Sequence, residues 1–207
     1  MTTGLAPRIS ILCKEAHPGS VKTRLAATIG DEHACAVHLA LANHTLSVAL
    51  QTTWEVWLWI KGEPGALVEQ WQAHPRVNIC RQPEGKLGTK IFHTFTQPGH
   101  NIVLGTDTVL TREDLQQAEG PGLFIGPAED GGYWLIADNS PEQILFDGIQ
   151  WSTASVLDQT RQRAQQLNKH CNLLRLRYDI DIARDLQRLI VDPCCPHSLK
   201  EVLKHYA

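Results

Sequence analysis

Short apolar runs recur along the chain and are separated by polar stretches that contain glycine or proline. Runs of this length, rich in β-branched and aromatic residues, are typical of buried strands. The run at 54–60 is apolar on both faces of an extended chain, as expected for an inner strand. The pattern predicts strands at 8–13, 54–60, 77–80, 102–104, 123–126, 133–137 and 173–176.

Between these runs the chain has the periodicity of amphipathic helices, and Thr111 and Asp114 have the spacing of a capping box. The alternation of strands and helices is typical of a parallel sheet covered by helices. We therefore predict one α/β domain over 1–207, a three-layer α/β/α sandwich with a mostly parallel sheet. Helices are expected at 31–51, directly after 63–65, at 87–95, 111–118 and 152–167, and from about 182 and 198.

The composition agrees with one folded domain, because 43% of the 207 residues are hydrophobic and 20% are charged. A net charge of -3 and a pI near 6.3 argue against nucleic-acid binding. The chain has no apolar run of membrane-spanning length and no signal-peptide pattern, so we expect a cytoplasmic protein without a membrane partner. Its six cysteines lack CxxC spacing and fit reduced core thiols.

The loop after the first predicted strand combines glycine with several cations. Lys14, Gly19, Lys22 and Arg24 lie between positions 14 and 25. Backbone amides and these side chains can neutralise a diphosphate, and a guanidinium can contact two oxygens at once. The spacing of a Walker loop is absent. This loop is predicted to bind nucleotide phosphates, and the alternative is a solvated basic turn.

A second polar loop follows the third predicted strand and contains Gln82, Gly85 and Gly88. An amide side chain can present both a donor and an acceptor to a nucleobase edge. Glycine permits a close approach of the backbone to a ligand. Gln82 and Gly88 are therefore candidates for binding the nucleotide.

An acidic, glycine-containing block at 126–133 interrupts an otherwise apolar region. Glu129 and Asp130 would be costly to bury without a cationic or hydrogen-bonding partner, and Gly131 and Gly132 allow a ligand to approach. The alternative is a hairpin turn with a solvated Asp-Gly pair. Asp107 strengthens the ligand hypothesis, because it directly follows a buried strand, where open α/β sheets bind their ligands.

A third acidic segment contains Asp179 and Asp181 near the carboxyl end of the chain. We expect only one of these two to face Asp107. Two carboxylates from separate loops, completed by phosphate oxygens and water, suit one Mg²⁺ or Mn²⁺ ion. Asp181 is alternatively the cap of the following helix, which is compatible with Asp179 as the ligand.

These motifs resemble, in order and over nearly the whole chain, a small bacterial family that was long filed as a domain of unknown function. The family is labelled a glycosyltransferase associated with radical-SAM proteins or selenodomains, or with arsenosugar biosynthesis. The resemblance implies a nucleotide-diphospho-sugar transferase fold of the GT-A type, which is similar also to molybdenum-cofactor and phospholactate nucleotidyltransferases. The matching segments are 18–25, 82–88, 105–107, 126–133, 151–153 and 179–181.

The resemblance also implies roles for the residues that match. Lys22 and Arg24 would hold the phosphates, and Asp107 would bind the metal with Asp181 or Asp179. Gln82 and Gly88 would line the base site. Glu129 and Asp130 would fall on the acceptor side, where one of them is either the catalytic base or a ligand of the sugar's hydroxyls. Gly131, Gly132, Tyr133 and Trp151 would lie beside them, and Trp151 either stacks on a ring or closes the core.

Two departures from the family pattern stand out. Thr108 and Val109 follow the aspartate where the family usually has cysteine and proline, so the acceptor pocket is expected to differ. The segment Glu15-Ala16-His17 is expected to loosen the first loop. Asp107 itself is retained.

Three functions remain open from the sequence. The first is a metal-dependent glycosyltransferase that uses a nucleotide-sugar and a small-molecule acceptor. The second is a nucleotidyltransferase that uses a nucleoside triphosphate and releases pyrophosphate, and the third is a non-catalytic nucleotide-binding protein. A homodimer is a further hypothesis, with the tryptophans and the carboxyl-terminal helix as its candidate surface.

Overall fold

Seven strands form a single sheet in a computed structural model that describes residues 7–96 and 99–206. The spatial order is β3-β2-β1-β4-β6-β5-β7. All neighbouring strands are parallel except β6, which runs antiparallel to both β4 and β5. The strands are β1 Arg8–Lys14, β2 Glu55–Lys61, β3 Val77–Arg81, β4 Asn101–Leu104, β5 Leu123–Pro127, β6 Tyr133–Asp138 and β7 Cys171–Leu173.

Helices cover the sheet and connect most of its strands. Thr111 and Asp114 form the predicted capping box at the start of α5. Two short 3-10 helices lie at Gln143–Leu145 and Lys204–Tyr206. The α-helices are α1 Thr23–Ile29, α2 Asp31–Ala49, α3 Ala66–Trp71, α4 Leu87–Thr94, α5 Arg112–Gln117, α6 Val156–Gln166, α7 Ala183–Val191 and α8 His197–Leu203.

The central strands are buried on both faces, which explains their continuous apolar sequences. In β4, Ile102 and Leu104 pack against the core beneath α2, α3 and α5. Val103 points to the opposite face, where it joins a core formed with α4 and α6. The predicted three-layer sandwich with a mostly parallel sheet is therefore confirmed.

A third apolar cluster joins helices at one side of the sandwich. Leu25 of α1, Leu186 of α7 and Leu199 of α8 pack there, with Ile180 completely buried among them. This cluster anchors the segment between β7 and α7, which carries the two carboxyl-terminal aspartates.

Three element predictions needed correction. Helix α1 was not expected, because the first helix was predicted to begin only at residue 31. The last strand lies at Cys171–Leu173 rather than 173–176, since Leu173 and Leu176 are exposed and their apolar character does not mark a buried strand. Helix α6 begins at Val156, because Ser152 lies in a turn with φ of 64°.

Part of the candidate dimer surface belongs to the core of the chain, whereas the other three tryptophans are partly exposed. Trp54, Trp59 and Trp134 are buried, and α8 packs inward through Leu199 and Leu203. Homodimerisation stays a prediction. All six cysteines are free. Among the described residues, none of the helices combines the length and apolar character that crossing a bilayer requires.

Candidate functional site

The carboxyl ends of β1, β2 and β4 open onto two adjoining clefts. The first has a volume of about 580 Å³ and the second about 600 Å³. Asp107 and Asp181 line both, so the clefts meet at this carboxylate pair. We call the first the basic cleft, and its lining includes Lys14, Lys22, Arg24, Lys61, Gln82 and Lys90. We call the second the aromatic cleft, and its lining includes Asp130, Gly132, Tyr133, Trp134, Trp151 and Asp179.

Lys22 lies between the two carboxylates where the clefts meet. Its ammonium donates a hydrogen bond to Asp107 and lies 3.4 Å from Oδ1 of Asp181. The Lys22 side chain is only 4% exposed, whereas those of Asp107 and Asp181 are 49% and 41% exposed. Arg24 lies on the solvent side, 3.3 Å from Oδ2 of Asp181. One buried cation therefore draws together two carboxylates that both remain open to a ligand.

The carboxylates of the site have shifted pKa values of opposite sign. Exclusion of water by neighbouring atoms would raise the pKa of Asp107, but the Lys22 ammonium outweighs it and keeps this pKa below its ordinary value. Burial raises the pKa of Asp179 to about 6, and the charges of neighbouring carboxylates add to this, although Thr108 donates a hydrogen bond to Asp179. An additional cation among these carboxylates would relieve their repulsion.

Asp179 and Asp181 both line the aromatic cleft. The expectation that only one of them faces Asp107 is wrong, because residues two apart in an extended segment point to the same side. Tyr178 and Ile180, which alternate with them, pack into the helical cluster on the other side. The amide of Ile180 donates to the carbonyl oxygen of Asp107 at 2.8 Å, which joins the two acidic loops.

Thr108 takes the place of the cysteine that the family pattern has after the strand-four aspartate. Its hydroxyl donates to Asp179, with which it also forms an isolated antiparallel bridge. The departure from the family pattern therefore falls directly beside the aromatic cleft.

The first loop is held firmly by Glu15, contrary to the expectation that 15–17 would loosen it. Glu15 is 1% exposed, and its carboxylate accepts hydrogen bonds from the amides of Ala16 at 2.9 Å, Leu67 at 2.8 Å and Val68 at 3.3 Å. The last two amides belong to the first turn of α3. A buried carboxylate that accepts hydrogen bonds from several backbone amides is compensated for the hydration it has lost.

Gln82 lines the basic cleft, but its amide group is already engaged within the protein. Its Nε2 donates to the carbonyl oxygens of Cys13 and Trp59, both at 3.0 Å. Its Oε1 accepts from the ammonium of Lys90 at 3.2 Å. The side chain therefore ties together the ends of β1 and β2 and positions Lys90, which leaves it no free donor for a base.

Gly88 is buried beneath Trp151 rather than exposed to the basic cleft. A Cβ atom at this position would lie 2.9 Å from the Trp151 ring and 3.0 Å from the carbonyl oxygen of Phe146. Trp151 packs edge to face with Tyr133, with ring centroids 6.2 Å apart, and also lines the aromatic cleft. Gly88 thus allows α4 to approach Trp151, which both closes the core and faces the cleft.

The acidic block forms a hairpin that brings Asp130 into the aromatic cleft. The amide of Ala128 donates to the carbonyl oxygen of Gly132 at 3.0 Å, and β5 and β6 pair antiparallel on either side. Asp130 is exposed, and its Oδ1 accepts from the Gly132 amide at 2.8 Å. Gly131 has φ of 86°, and a Cβ there would lie 2.0 Å from the carbonyl oxygen of Ala154. The hairpin alternative is therefore confirmed, and ligand binding by the same segment stays a prediction.

Glu129 points away from both clefts. Its two carboxylate oxygens accept hydrogen bonds from the Arg188 guanidinium, each at 2.7 Å, and this pairing lowers the pKa of Glu129. Arg188 also lies over the Tyr178 ring, 3.7 Å from its centroid. Adjacent residues of the hairpin thus face different surroundings, and only Asp130 is close to the other carboxylates.

The wall of the basic cleft next to Asp107 contains a buried thiol. Cys13 Sγ lies 3.6 Å from both His38 Nε2 and Thr106 Oγ1. Burial raises the pKa of Cys13 to about 12, so this thiol stays protonated and is a poor nucleophile.

The structure brings most of the candidate residues together. Lys14, Lys22 and Arg24 share the basic cleft. Gly19, with φ of 75°, lies in a turn outside the clefts. Sequence reasoning missed Lys61 and Lys90. Lys61 follows a predicted strand directly and was open to the same reasoning as Lys14, whereas nothing in the sequence distinguishes Lys90 within its helix.

No group of three or more His, Cys, Asp or Glu side chains within 7–96 and 99–206 is arranged to hold a metal ion. The carboxylates of Asp107 and Asp181 nevertheless converge on the Lys22 ammonium, which shows that the pair accommodates a cation. Two carboxylates with free coordination positions fit an ion that is completed by ligand phosphates and water.

Several solved structures share this fold with the chain, among them the following two. A protein of Desulfovibrio desulfuricans G20, named provisionally as a nucleotide-diphospho-sugar transferase, is 24% identical with a TM-score of 0.86, and the match covers 96% of this chain and 94% of that one. A 4-diphosphocytidyl-2C-methyl-D-erythritol synthase is 12% identical with a TM-score of 0.51, and the match covers 96% of this chain and all of the other, 100%. The predicted nucleotide-diphospho-sugar transferase fold is confirmed.

No curated protein matches the chain. A family model described as "Uncharacterized protein conserved in bacteria (DUF2064)" matches residues 41–153, which is more than half of the chain. This match includes the ends of β2, β3 and β4 and the acidic hairpin, and it confirms the resemblance drawn from the motifs. The chain therefore belongs to the DUF2064 family of bacterial proteins.

Proposed function

We propose that this protein is a metal-dependent glycosyltransferase that transfers a sugar from a nucleotide-diphospho-sugar to a small-molecule acceptor. The observation that carries the proposal is the meeting of a basic cleft and an aromatic cleft at Asp107 and Asp181. The basic cleft offers cations for a diphosphate. The aromatic cleft offers Asp130 and Trp151 to hydroxyl groups and the faces of a sugar.

Charge supports binding of the diphosphate at the junction. Lys22 and Arg24 both contact Asp181, and Lys22 also contacts Asp107. These cations would bind phosphate oxygens once the carboxylates are occupied by a metal. Arg24 is 70% exposed and free to turn toward a ligand, where its guanidinium can contact two oxygens.

Asp107 and Asp181 would hold the Mg²⁺ or Mn²⁺ ion, with Asp179 beside them. Such ions are commonly bound by one or two carboxylates together with substrate phosphates. When bound, the metal would offset negative charge on the leaving nucleoside diphosphate. The names of the two structural neighbours refer to nucleotide-linked compounds, which agrees with a nucleotide ligand. At 24% and 12% identity, the likeness itself shows only a shared fold.

The proposed base is Asp130, which would accept a proton from the attacking hydroxyl of the acceptor. Its carboxylate is exposed within the aromatic cleft, and its hydrogen bond from the Gly132 amide fixes its orientation. General bases contribute typically about 10²–10⁴-fold to rate. Tyr133 and Trp151 would then form the wall against which the acceptor lies.

The experiment that tests this function identifies the product. Purified protein is incubated with nucleotide-sugars and with nucleoside triphosphates, each with Mg²⁺ or Mn²⁺ and again with chelator. A metal-dependent release of nucleoside diphosphate from a nucleotide-sugar is the expected result. Release of pyrophosphate from a triphosphate would instead establish a nucleotidyltransferase, and metal-dependent binding without any turnover would leave the non-catalytic role.

Asp130 and Glu129 provide a matched comparison of the two candidate bases. Asp130→Asn should lower the turnover rate by about 10²-fold or more, because the amide cannot accept the proton. Glu129→Gln should change turnover by less than about threefold, since Glu129 faces Arg188 outside the cleft. Nucleotide affinity of both variants, measured by calorimetry, should stay near that of the parent. Equal losses of turnover in the two variants would contradict the assignment.

A further inference from the structure

The far end of the basic cleft contains three lysines that the proposed diphosphate site does not use. Lys14 ends β1, Lys61 ends β2, and Lys90 lies on α4. All three line the cleft. None of them forms a salt bridge in the described part of the chain, although the whole protein has a net charge of -3.

Lys14 and Lys61 are direct partners across the parallel pair of β1 and β2. Trp59 donates to Ser10 at 3.2 Å, so these residues share a face of the sheet, and by alternation the two lysines share it as well. Like charges opposite each other on neighbouring strands are destabilising. Both lysines are exposed at the ends of their strands, so their ammonium groups are available to the acceptor oxygens of a ligand.

The order of the strands separates Lys61 from the diphosphate site, whereas Lys14 is close enough for its charge to act on Asp107. Asp107 follows β4, β1 is its neighbour, and β2 is one strand further. Lys61 therefore lies two strand spacings from β4, which is about 10 Å. Lys22, Arg24 and a divalent ion would already balance Asp107, Asp181 and a diphosphate. Lys61, and Lys90 at its contact with Gln82 beyond β3, therefore remain for a part of the nucleotide beyond its phosphates.

Gln82 determines which hydrogen-bonding groups this end of the cleft can offer. Both of its amide hydrogens are donated to the carbonyl oxygens of Cys13 and Trp59, and its own oxygen accepts from Lys90. A lysine ammonium has three donors and no acceptor. The polar side chains at this end of the cleft therefore present mainly donors, and the Gln82 oxygen, which already accepts from Lys90, is an acceptor among them.

This inference rests on the proposed function. We propose that Lys61 and Lys90, together with Lys14, form the base-binding end of the basic cleft and select a keto base, guanine or uracil, over adenine and cytosine. Guanine presents acceptors at O6 and N7, and uracil presents O4 as thymine does, whereas adenine and cytosine carry amino donors at the corresponding positions. Gln82 is a positioning residue that holds the Lys90 ammonium toward the base.

The test measures the affinities of GDP, UDP, ADP and CDP by calorimetry with Mg²⁺ present. The parent should bind GDP or UDP at least about tenfold more tightly than ADP and CDP, since one good base contact discriminates by about that factor. Lys90→Met and Lys61→Met should each reduce this preference to less than about threefold while ADP affinity changes little. Gln82→Met should reduce it similarly through Lys90.

Lys86→Met is the matched control. Lys86 lies in the loop that contains Gln82, directly before α4, but it does not line the cleft. Thermal melting checks that each variant is folded. Binding of all four nucleotides with equal affinity would overturn this inference and leave the proposed function intact. If Lys90→Met weakened the binding of all four nucleotides equally, the lysines would be assigned to phosphate binding, and the inference would again be overturned. Failure of every nucleotide to bind would contradict the proposed function itself.

Discussion

Asp107→Asn should lower kcat/KM for sugar transfer by about 10³-fold or more, and should remove the dependence of nucleotide affinity on Mg²⁺ or Mn²⁺. This loss corresponds to about 4 kcal/mol of transition-state stabilisation, which is within the range that a bound metal ion contributes. The amide keeps the size of the side chain but not the charge that pairs with Lys22. Calorimetry with metal and with chelator, together with steady-state kinetics, measures both effects.

The fold of this variant should be retained. The Asp107 side chain is 49% exposed, and the link to the next acidic loop uses its backbone carbonyl rather than its carboxylate. Asp147→Asn, which neutralises an exposed aspartate outside both clefts, should leave kinetics and metal dependence unchanged. Metal-dependent nucleotide binding by Asp107→Asn at the parental affinity would show that the metal site lies elsewhere.

Asp114→Ala should reduce the free energy of unfolding by about 3–5 kcal/mol, because it leaves a buried guanidinium without its partner. Asp114 is 1% exposed and pairs with Arg177, whose side chain is 9% exposed. It also accepts hydrogen bonds from the amide and hydroxyl of Thr111 at 2.6 and 2.7 Å, so the change removes the cap of α5 as well. Urea denaturation measures the loss.

Asp114→Ala should also affect function, since its partner Arg177 fixes the segment that carries Asp179 and Asp181. Arg177 donates to the carbonyl oxygen of Val109 at 2.5 Å, and its backbone pairs with Pro127 and Glu129. Nucleotide affinity should therefore fall together with stability. Glu113→Ala is the control on the same helix, and as an exposed residue it should change the unfolding free energy by less than about 0.5 kcal/mol. A loss below about 1 kcal/mol in Asp114→Ala would contradict the importance of this buried pair.

The layers of the fold and the core of the site could be predicted from sequence because both depend on local patterns. Buried strands have continuous apolar runs, and a polar residue such as Asp107 directly after one of them lies at the ligand-binding edge. The same reasoning applied to Lys61 would have found it. Lys90 could not be found in this way, because its position in the cleft depends on how α4 packs on the sheet.

Side-chain direction within turns was the main limit of prediction. Glu129 and Asp130 are adjacent and both acidic, and only the hairpin geometry around Gly131 places one toward the cleft and the other toward Arg188. Gln82 was expected to read the base, but its hydrogen bonds to Cys13 and Trp59 depend on contacts between distant parts of the chain. Such partners are set by the tertiary structure and leave no pattern in the sequence.

Helix α4 forms a common wall between the two clefts. Lys90 on this helix reaches the basic cleft, while Gly88, less than one turn away, rests on Trp151 of the aromatic cleft. Because Gly88 leaves no space between the helix and the indole ring, any displacement of α4 moves both surfaces together. The surfaces proposed to bind the donor's base and the acceptor are therefore mechanically linked through the contact between the Gly88 backbone and the Trp151 ring.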